Sequence, residues 1–242
     1  YLSLEDDYYQ SSKFTSIDTT DFTKFFGTSL SVEYTVNSLN RKQFASEGQF
    51  FQVKARYVNG YERTVPGTTS IIKDTVEKDH QWLSVQAEFQ SYFIKNGPFH
   101  IGFHGKTVVN SQSLFANYTA SLLSMPSFNL IPDMETFFLP EYRATQYFSV
   151  GTNLVLELMN KLDLRLDVYY FRPFMQLRQN SDGTIQYMKP EQVKSLVASS
   201  SILYNTPIGP VRATLNYFPV QEKPLFFQLS FGYILFNERA IR

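Results

Sequence analysis

This sequence predicts an all-β chain, specifically an antiparallel transmembrane β-barrel, on three observations. Apolar and polar residues alternate with period two along most of its length. Full charges stand in the middle of the polar stripes. Toward the C-terminal end, tight turns alternate with long polar connections, the rim asymmetry of outer-membrane barrels.

The composition agrees. Of 242 residues, 23 are Phe and 16 Tyr, yet mean hydropathy is slightly negative, as alternation requires. No run approaches the ~20 apolar residues of a transmembrane helix. The opening "YLSLEDDYYQ" lacks the basic-then-apolar order of a signal peptide. With no cysteine, the chain has no disulfide, no thiolate nucleophile and no cysteine-ligated metal. A formal net charge of zero removes the basic field that attracts nucleic acid.

Residues 1–20 are acidic, Ser/Thr-rich and poorly patterned: a strap, a loop or a detached strand. Residues 21–242 form the expected barrel portion. "SLSVEYTV" sets Leu30, Val32, Tyr34 and Val36 against Ser29, Ser31, Glu33 and Thr35. "FQVKARYV" sets Phe51, Val53, Ala55 and Tyr57 against Gln52, Lys54 and Arg56. "LSVQAEFQSYF" and "FHIGFHG" continue the pattern, with Leu83, Val85, Phe89, Phe99, Ile101 and Phe103 on the apolar side. "LFANYTASL" reads as a weak strand or a short helix. "VGTNLVLEL" and "KLDLRLDVYY" then alternate cleanly, followed by "SLVASSSILY" and "NTPIGPVRATLNYF". In "PLFFQLSFGYILF", Leu225, Phe227, Leu229, Phe231, Tyr233 and Leu235 share one face. This gives about ten strands of roughly 9–11 residues, the length a tilted strand needs to cross a bilayer.

Turns around Asn160 and at Pro207, Gly209 and Pro210 are tight, and long connections separate them. Upstream the rim rule breaks. "KNGP" is short where a long loop is expected, and the stretch from Gly60 to His80 is long where a turn is expected.

The polar stripe carries Glu33, Lys54, Arg56, Glu88, Glu157, Asp163, Arg165 and Asp167 at mid-strand. A wet lumen accepts these, whereas a basic residue at the lipid midplane costs roughly 2–4 kcal/mol. Tyr34, Tyr57, Phe89, Tyr170, Tyr204, Tyr217 and Tyr233 fall near strand ends, as interfacial girdles do. Trp82 is expected at an interface as well. The alternative is a soluble β-sandwich binding module with the apolar stripe inward.

"ILYNTPIGPVRATLNYF" resembles the penultimate hairpin of the BamA-like, or bacterial surface antigen, family of outer-membrane barrels. "VGTNLVLELMNKLDLRLDVYYF" resembles the two strands before it, with Glu157 and Asp167 at the family's Glu and Asp positions. "EYRATQY" is similar to the tip of the family's lumen loop, which places Arg143 as its arginine. The chain departs from the family pattern at Ala144, Arg165 and Tyr169. The final strand resembles the aromatic-ended strand read by the assembly machinery, and its terminal aromatic is Phe236.

The resemblance implies that the chain is the C-terminal portion of a sixteen-stranded barrel in the bacterial outer membrane. It implies a barrel that anchors, and inserts or translocates, polypeptide. Its expected partners are outer-membrane lipid, assembly machinery or accessory subunits, and an upstream domain of the same protein. It also implies a loop lock in which Arg143 pairs with Asp167 or Glu157. A second reading makes the upstream domain a patatin-like phospholipase and this barrel its anchor.

Within this chain no serine stands in a G-x-S-x-G elbow, so no catalytic residue is assigned. His100 and His104 share a strand face about 13 Å apart, too far to share a metal. No cofactor and no metal are expected.

Overall fold

The computed structural model describes residues 2–9, 15–180, 184–189 and 196–233. They form β1 (Leu2–Tyr8), β2 (Asp21–Asn37), β3 (Gln49–Val65), β4 (Val76–Asn96), β5 (Phe99–Asn110), α1 (Tyr118–Leu123), β6 (Gln146–Met159), β7 (Leu162–Gln179), β8 (Ile185–Met188), β9 (Leu196–Thr206), β10 (Gly209–Tyr217) and β11 (Leu225–Phe231). All eleven strands belong to one antiparallel sheet, in the order β1-β2-β3-β4-β5-β6-β7-β9-β10-β11, with β8 paired to the far end of β7. Residues 2–8, from the stretch with no clear pattern, are an edge strand. Leu235 and Phe236 lie outside the described residues.

The sheet is tightly curled. β1 and β7 are six inter-strand steps apart in the order. In a flat sheet those steps amount to roughly 29 Å. Yet Tyr8 of β1 donates its hydroxyl to Gln179 Oε1 of β7 at 3.1 Å. Among the described residues β1 and β11 are the two ends of the path, and no ladder joins them.

The apolar stripe is the outer one. Leu30 and Val32 are each 71% exposed, Phe227 is 68% and Leu229 71%. The polar stripe faces inward: Asp163, Arg165, Asp167, Arg212, Thr214 and Asn216 are buried. A β-sandwich would need two sheets with the apolar stripes between them, and this chain forms one sheet with the opposite polarity. All seven aromatics read as girdle residues are exposed on the outer face. Trp82 is the exception. It is 5% exposed and packs inside, its ring centroid 5.6 Å from that of Phe25. Its even number puts it on the face of Glu88 and Gln90, so strand parity decides against the interface.

The stretch around Tyr118 is α1, capped by Asn117, whose side chain accepts from Ala120 N at 2.7 Å. A helix there, in place of a strand, reverses the parity of everything upstream, and the rim rule then holds for every turn but the connection 38–48. Turns at 97–98, 160–161 and 207–208 share one rim with the connection 38–48. Connections 66–75, 111–145 and 218–224 share the other, which is also the rim where β7 ends and β9 begins. The strands are longer than expected: β2 and β3 have 17 residues, β7 has 18 and β4 has 21.

Glycine is required by close approach at two places in the sheet. Gly60 and Gly27 face each other across β2 and β3, and a Cβ on Gly60 would come within 2.4 Å of the Phe25 ring. Gly151 pairs with Tyr169, and a Cβ there would lie 2.3 Å from the Tyr169 ring and from Val168 O. An inward aromatic thus lies over a bare backbone patch on the neighbouring strand, which lets the sheet curl. Gly151→Ala is expected to displace Tyr169 and cost roughly 1–3 kcal/mol, read as a lower urea midpoint in detergent. A Gly151→Ala chain as stable as the parent would show that the ring is not seated there.

Candidate functional site

The candidate site is the interior of the curled sheet, which two connections enter from opposite rims. Residues 111–145 fill the long-loop side. Phe128, Ile131, Met134 and Tyr142 of this segment pack with Tyr147, Phe171 and Phe218 of the wall in one buried cluster. The segment is also tied to β2, β3 and β4. Asn117 Nδ2 donates to Thr23 Oγ1 at 2.5 Å, and Ala116 N donates to Glu62 Oε1 at 2.7 Å. His80 bridges Ser113 Oγ at 2.8 Å and Glu62 Oε2 at 2.6 Å, its ring stacked on Phe115.

On the opposite side of the interior, Arg212 of β10 meets the plug. Its Nη2 donates to Asp133 Oδ1, and Asn216 Nδ2 donates to Asp133 Oδ2 at 3.2 Å. Both ionic side chains are almost fully buried, at 2% and 1% exposure. A buried charge is tolerated only when paired and hydrogen-bonded. Arg212 Nε also donates to Ser230 Oγ at 2.6 Å.

The second connection, 38–48, enters from the short-turn rim. Phe44 presents its ring to Arg212, 4.6 Å from the guanidinium carbon, and to Arg165 at 5.9 Å. Such geometry attracts a cation to the ring face. Ala45 O accepts from Arg165 Nη1 at 2.7 Å, and Arg41 pairs with Asp163.

Between the two connections a polar network crosses the wall. Glu88 accepts from Lys106 at 3.2 Å and contacts His104 Nε2 at 3.0 Å. His104 Nδ1 lies 3.1 Å from Tyr169 Oη, which accepts from Asn153 Nδ2 at 2.8 Å. Asn153 also donates to Asp167, and Arg165 Nε spans both Asp167 oxygens at 2.8 and 2.7 Å. A cavity of about 220 Å³ lies here, lined by Phe44, Glu88, His104, Leu130, Arg165 and Asp167 among others.

The expected loop lock is corrected on both sides. Asp167 is satisfied by Arg165, two residues away on its own strand. Glu157 accepts from Ser46 Oγ at 3.4 Å and lies near His100. Arg143 instead donates to the carbonyls of Leu122, Leu123 and Met125 at 3.4, 3.1 and 3.2 Å. These carbonyls belong to the end of α1 and the residues just beyond it, so Arg143 organises the plug internally. The lock that joins plug to wall has the reverse polarity, with a carboxylate on the loop and an arginine on the strand. The sequence showed Arg212 only as one polar-face residue and gave no sign that Asp133, 79 positions away, would meet it.

The turn between β9 and β10 is at 207–208, and Gly209 and Pro210 open β10. Pro207 and Ile208 form its two central residues, and Gly209 has φ +130 with Gly232 Cα 2.7 Å from where a Cβ would be. Only glycine serves both constraints. No family model matches this chain, and no curated protein matches it.

Asp133→Asn and Arg212→Gln are each expected to cost roughly 3–5 kcal/mol, because each leaves a buried charge alone. The double substitution should cost less than the sum of the two. The urea midpoints of the four chains give this coupling, and strictly additive losses would contradict it.

Proposed function

We propose that this chain is a portion of an outer-membrane β-barrel of the BamA-like surface antigen kind, which anchors, and inserts or passes, polypeptide across the bacterial outer membrane. The observation that carries the reading is the polarity of the sheet. The outer face is apolar and aromatic, and the inner face carries paired charges. Water would not favour that outer face, whereas acyl chains would. Among the described residues no helix is long and apolar enough to cross a membrane, so any crossing would be made by strands.

Two further features support it. The interior is occupied by connections from both rims, with a polar cavity between them, as suits a lumen that is gated and not permanently open. Among the described residues the sheet also has unpaired edges. β1 covers only Asp21–Gly27 of β2, and Leu30, Val32, Tyr34 and Val36 beyond it are all exposed. In this reading further strands complete the wall toward sixteen, and the edges form a seam where a client strand can pair. An exposed edge of this kind is a template for strand addition.

Single cysteines at 166, 202 and 229, labelled with a fluorophore in the reconstituted protein, should be quenched by lipids carrying the quencher at mid-chain. Labels at 167, 201 and 212 should not be. Equal quenching of both sets, or none at 166, 202 and 229, would rule out a lipid-facing outer stripe.

A further inference from the structure

We propose that Glu47, His100 and Glu157 bind a first-row divalent metal ion of the zinc type, fastening the connection 38–48 to β5 and β6. This proposal stands whether or not the outer stripe faces lipid.

The three residues arrive from three directions. Glu47 is the last residue but one of the connection 38–48, which enters from the short-turn rim. His100 is the second residue of β5, and Glu157 lies on the adjoining β6, where its N–H donates to Pro98 O at 2.9 Å. One ligand atom from each lies within 4.8 Å of the other two. His100 Nε2 is 3.5 Å from Glu157 Oε1, and His100 Nδ1 is 3.9 Å from Glu47 Oε1.

The decisive observation is the imidazole. His100 is 1% exposed, and neither ring nitrogen has a hydrogen-bond partner. Buried polar atoms are nearly always satisfied, so a pair left unmet calls for an explanation. The ring stands among carboxylate oxygens at distances too long for a good hydrogen bond and somewhat too long for one shared ion. One neutral nitrogen and two carboxylate oxygens form the donor set of a three-ligand zinc site, whose fourth place takes water. Bonds of about 2.1 Å put tetrahedral ligand atoms roughly 3.4 Å apart. Closing to that separation needs the two carboxylates to move by about an ångström, and at 41% and 37% exposure both have room to do so. A cavity of about 430 Å³ lined by Glu157, Arg41 and Asp163 gives an ion a path from the rim.

Glu47 is ready to ligate. Its carboxylate accepts a hydrogen bond from Lys95. Lys95 is also the competitor, since its ammonium rests on Glu47 Oε1. It is 63% exposed and can turn into water when an ion arrives.

The test uses the full untagged chain in detergent, stripped with a chelator and titrated with Zn²⁺ by calorimetry and with Co²⁺ by visible absorption. One ion per chain is expected, with the intense visible bands of tetrahedral cobalt. Glu157→Gln, Glu47→Gln and His100→Ala should each weaken binding at least the roughly tenfold that loss of a mere outer-shell partner costs. Lys95→Gln should bind several-fold more tightly. The two isosteric glutamine variants keep the test valid if His100→Ala fails to fold. Absence of saturable binding overturns the proposal, as does one-to-one binding that none of the three ligand variants weakens.

Discussion

Arg212 is a guanidinium with almost no water around it, and the arrangement of the interior follows from that. A desolvated cation has to be met by an anion and by donors' partners in fixed geometry. Asp133 supplies the anion from the long-loop side, Ser230 accepts from Nε, and Phe44 supplies a ring face from the short-turn side. One strand residue therefore positions both connections that enter the interior of the sheet. Phe44 itself adopts φ +56, a conformation a bulky side chain rarely takes. Strain of that kind, of order 1–3 kcal/mol, persists where the surroundings over-determine it. Here the two arginines do so.

Period-two alternation reported the wall almost completely. The residues assigned outward by parity from Leu30 to Tyr233 are exposed or half-buried, and none is buried. Of the charged set, Asp163, Arg165 and Asp167 are buried inside, whereas Glu33, on the part of β2 that β1 does not cover, is exposed. Alternation is a local property, so it survives without knowledge of neighbours. What it could not report was which charge meets which. Resemblance supplied Arg143 with Asp167 or Glu157, but this chain carries Arg165 on the same strand as Asp167, and a partner two residues away needs no loop to reach it. The departures from the family pattern at Arg165 and Tyr169 were thus the informative positions. Arg165 takes over the carboxylate, and Tyr169 covers Gly151 and joins the network through His104 and Asn153.

The rim irregularity has the same origin. Asn117, an N-cap residue ahead of Tyr118–Leu123, turns a weakly alternating stretch into one and a half turns of helix. A propensity reading leaves that stretch ambiguous, because its apolar residues suit either period. Once the helix is counted, the turns at 97–98, 160–161 and 207–208 fall on one rim. The connection 38–48 remains the exception there. Its length is explained by where it goes: it runs inward to place Phe44, Ala45 and Ser46, instead of turning at once into β3.

Because Arg212 touches both connections, their positions are not independent. Withdrawing the plug removes Asp133 and leaves the guanidinium with only a hydroxyl and a ring, which cannot compensate a buried charge. The strand side chain then gains by turning toward whatever water enters, and Phe44 loses the cation that holds its strained backbone. Release of the long-loop segment therefore favours release of 38–48, and the reverse holds by the same linkage. An ion bound by Glu47, His100 and Glu157 would act on this coupling from the far end, holding 38–48 in place and so raising the free energy needed to free residues 111–145. The coupling is carried by contacts that are all on the inner face, and the outer stripe can keep its surroundings unchanged while the interior opens.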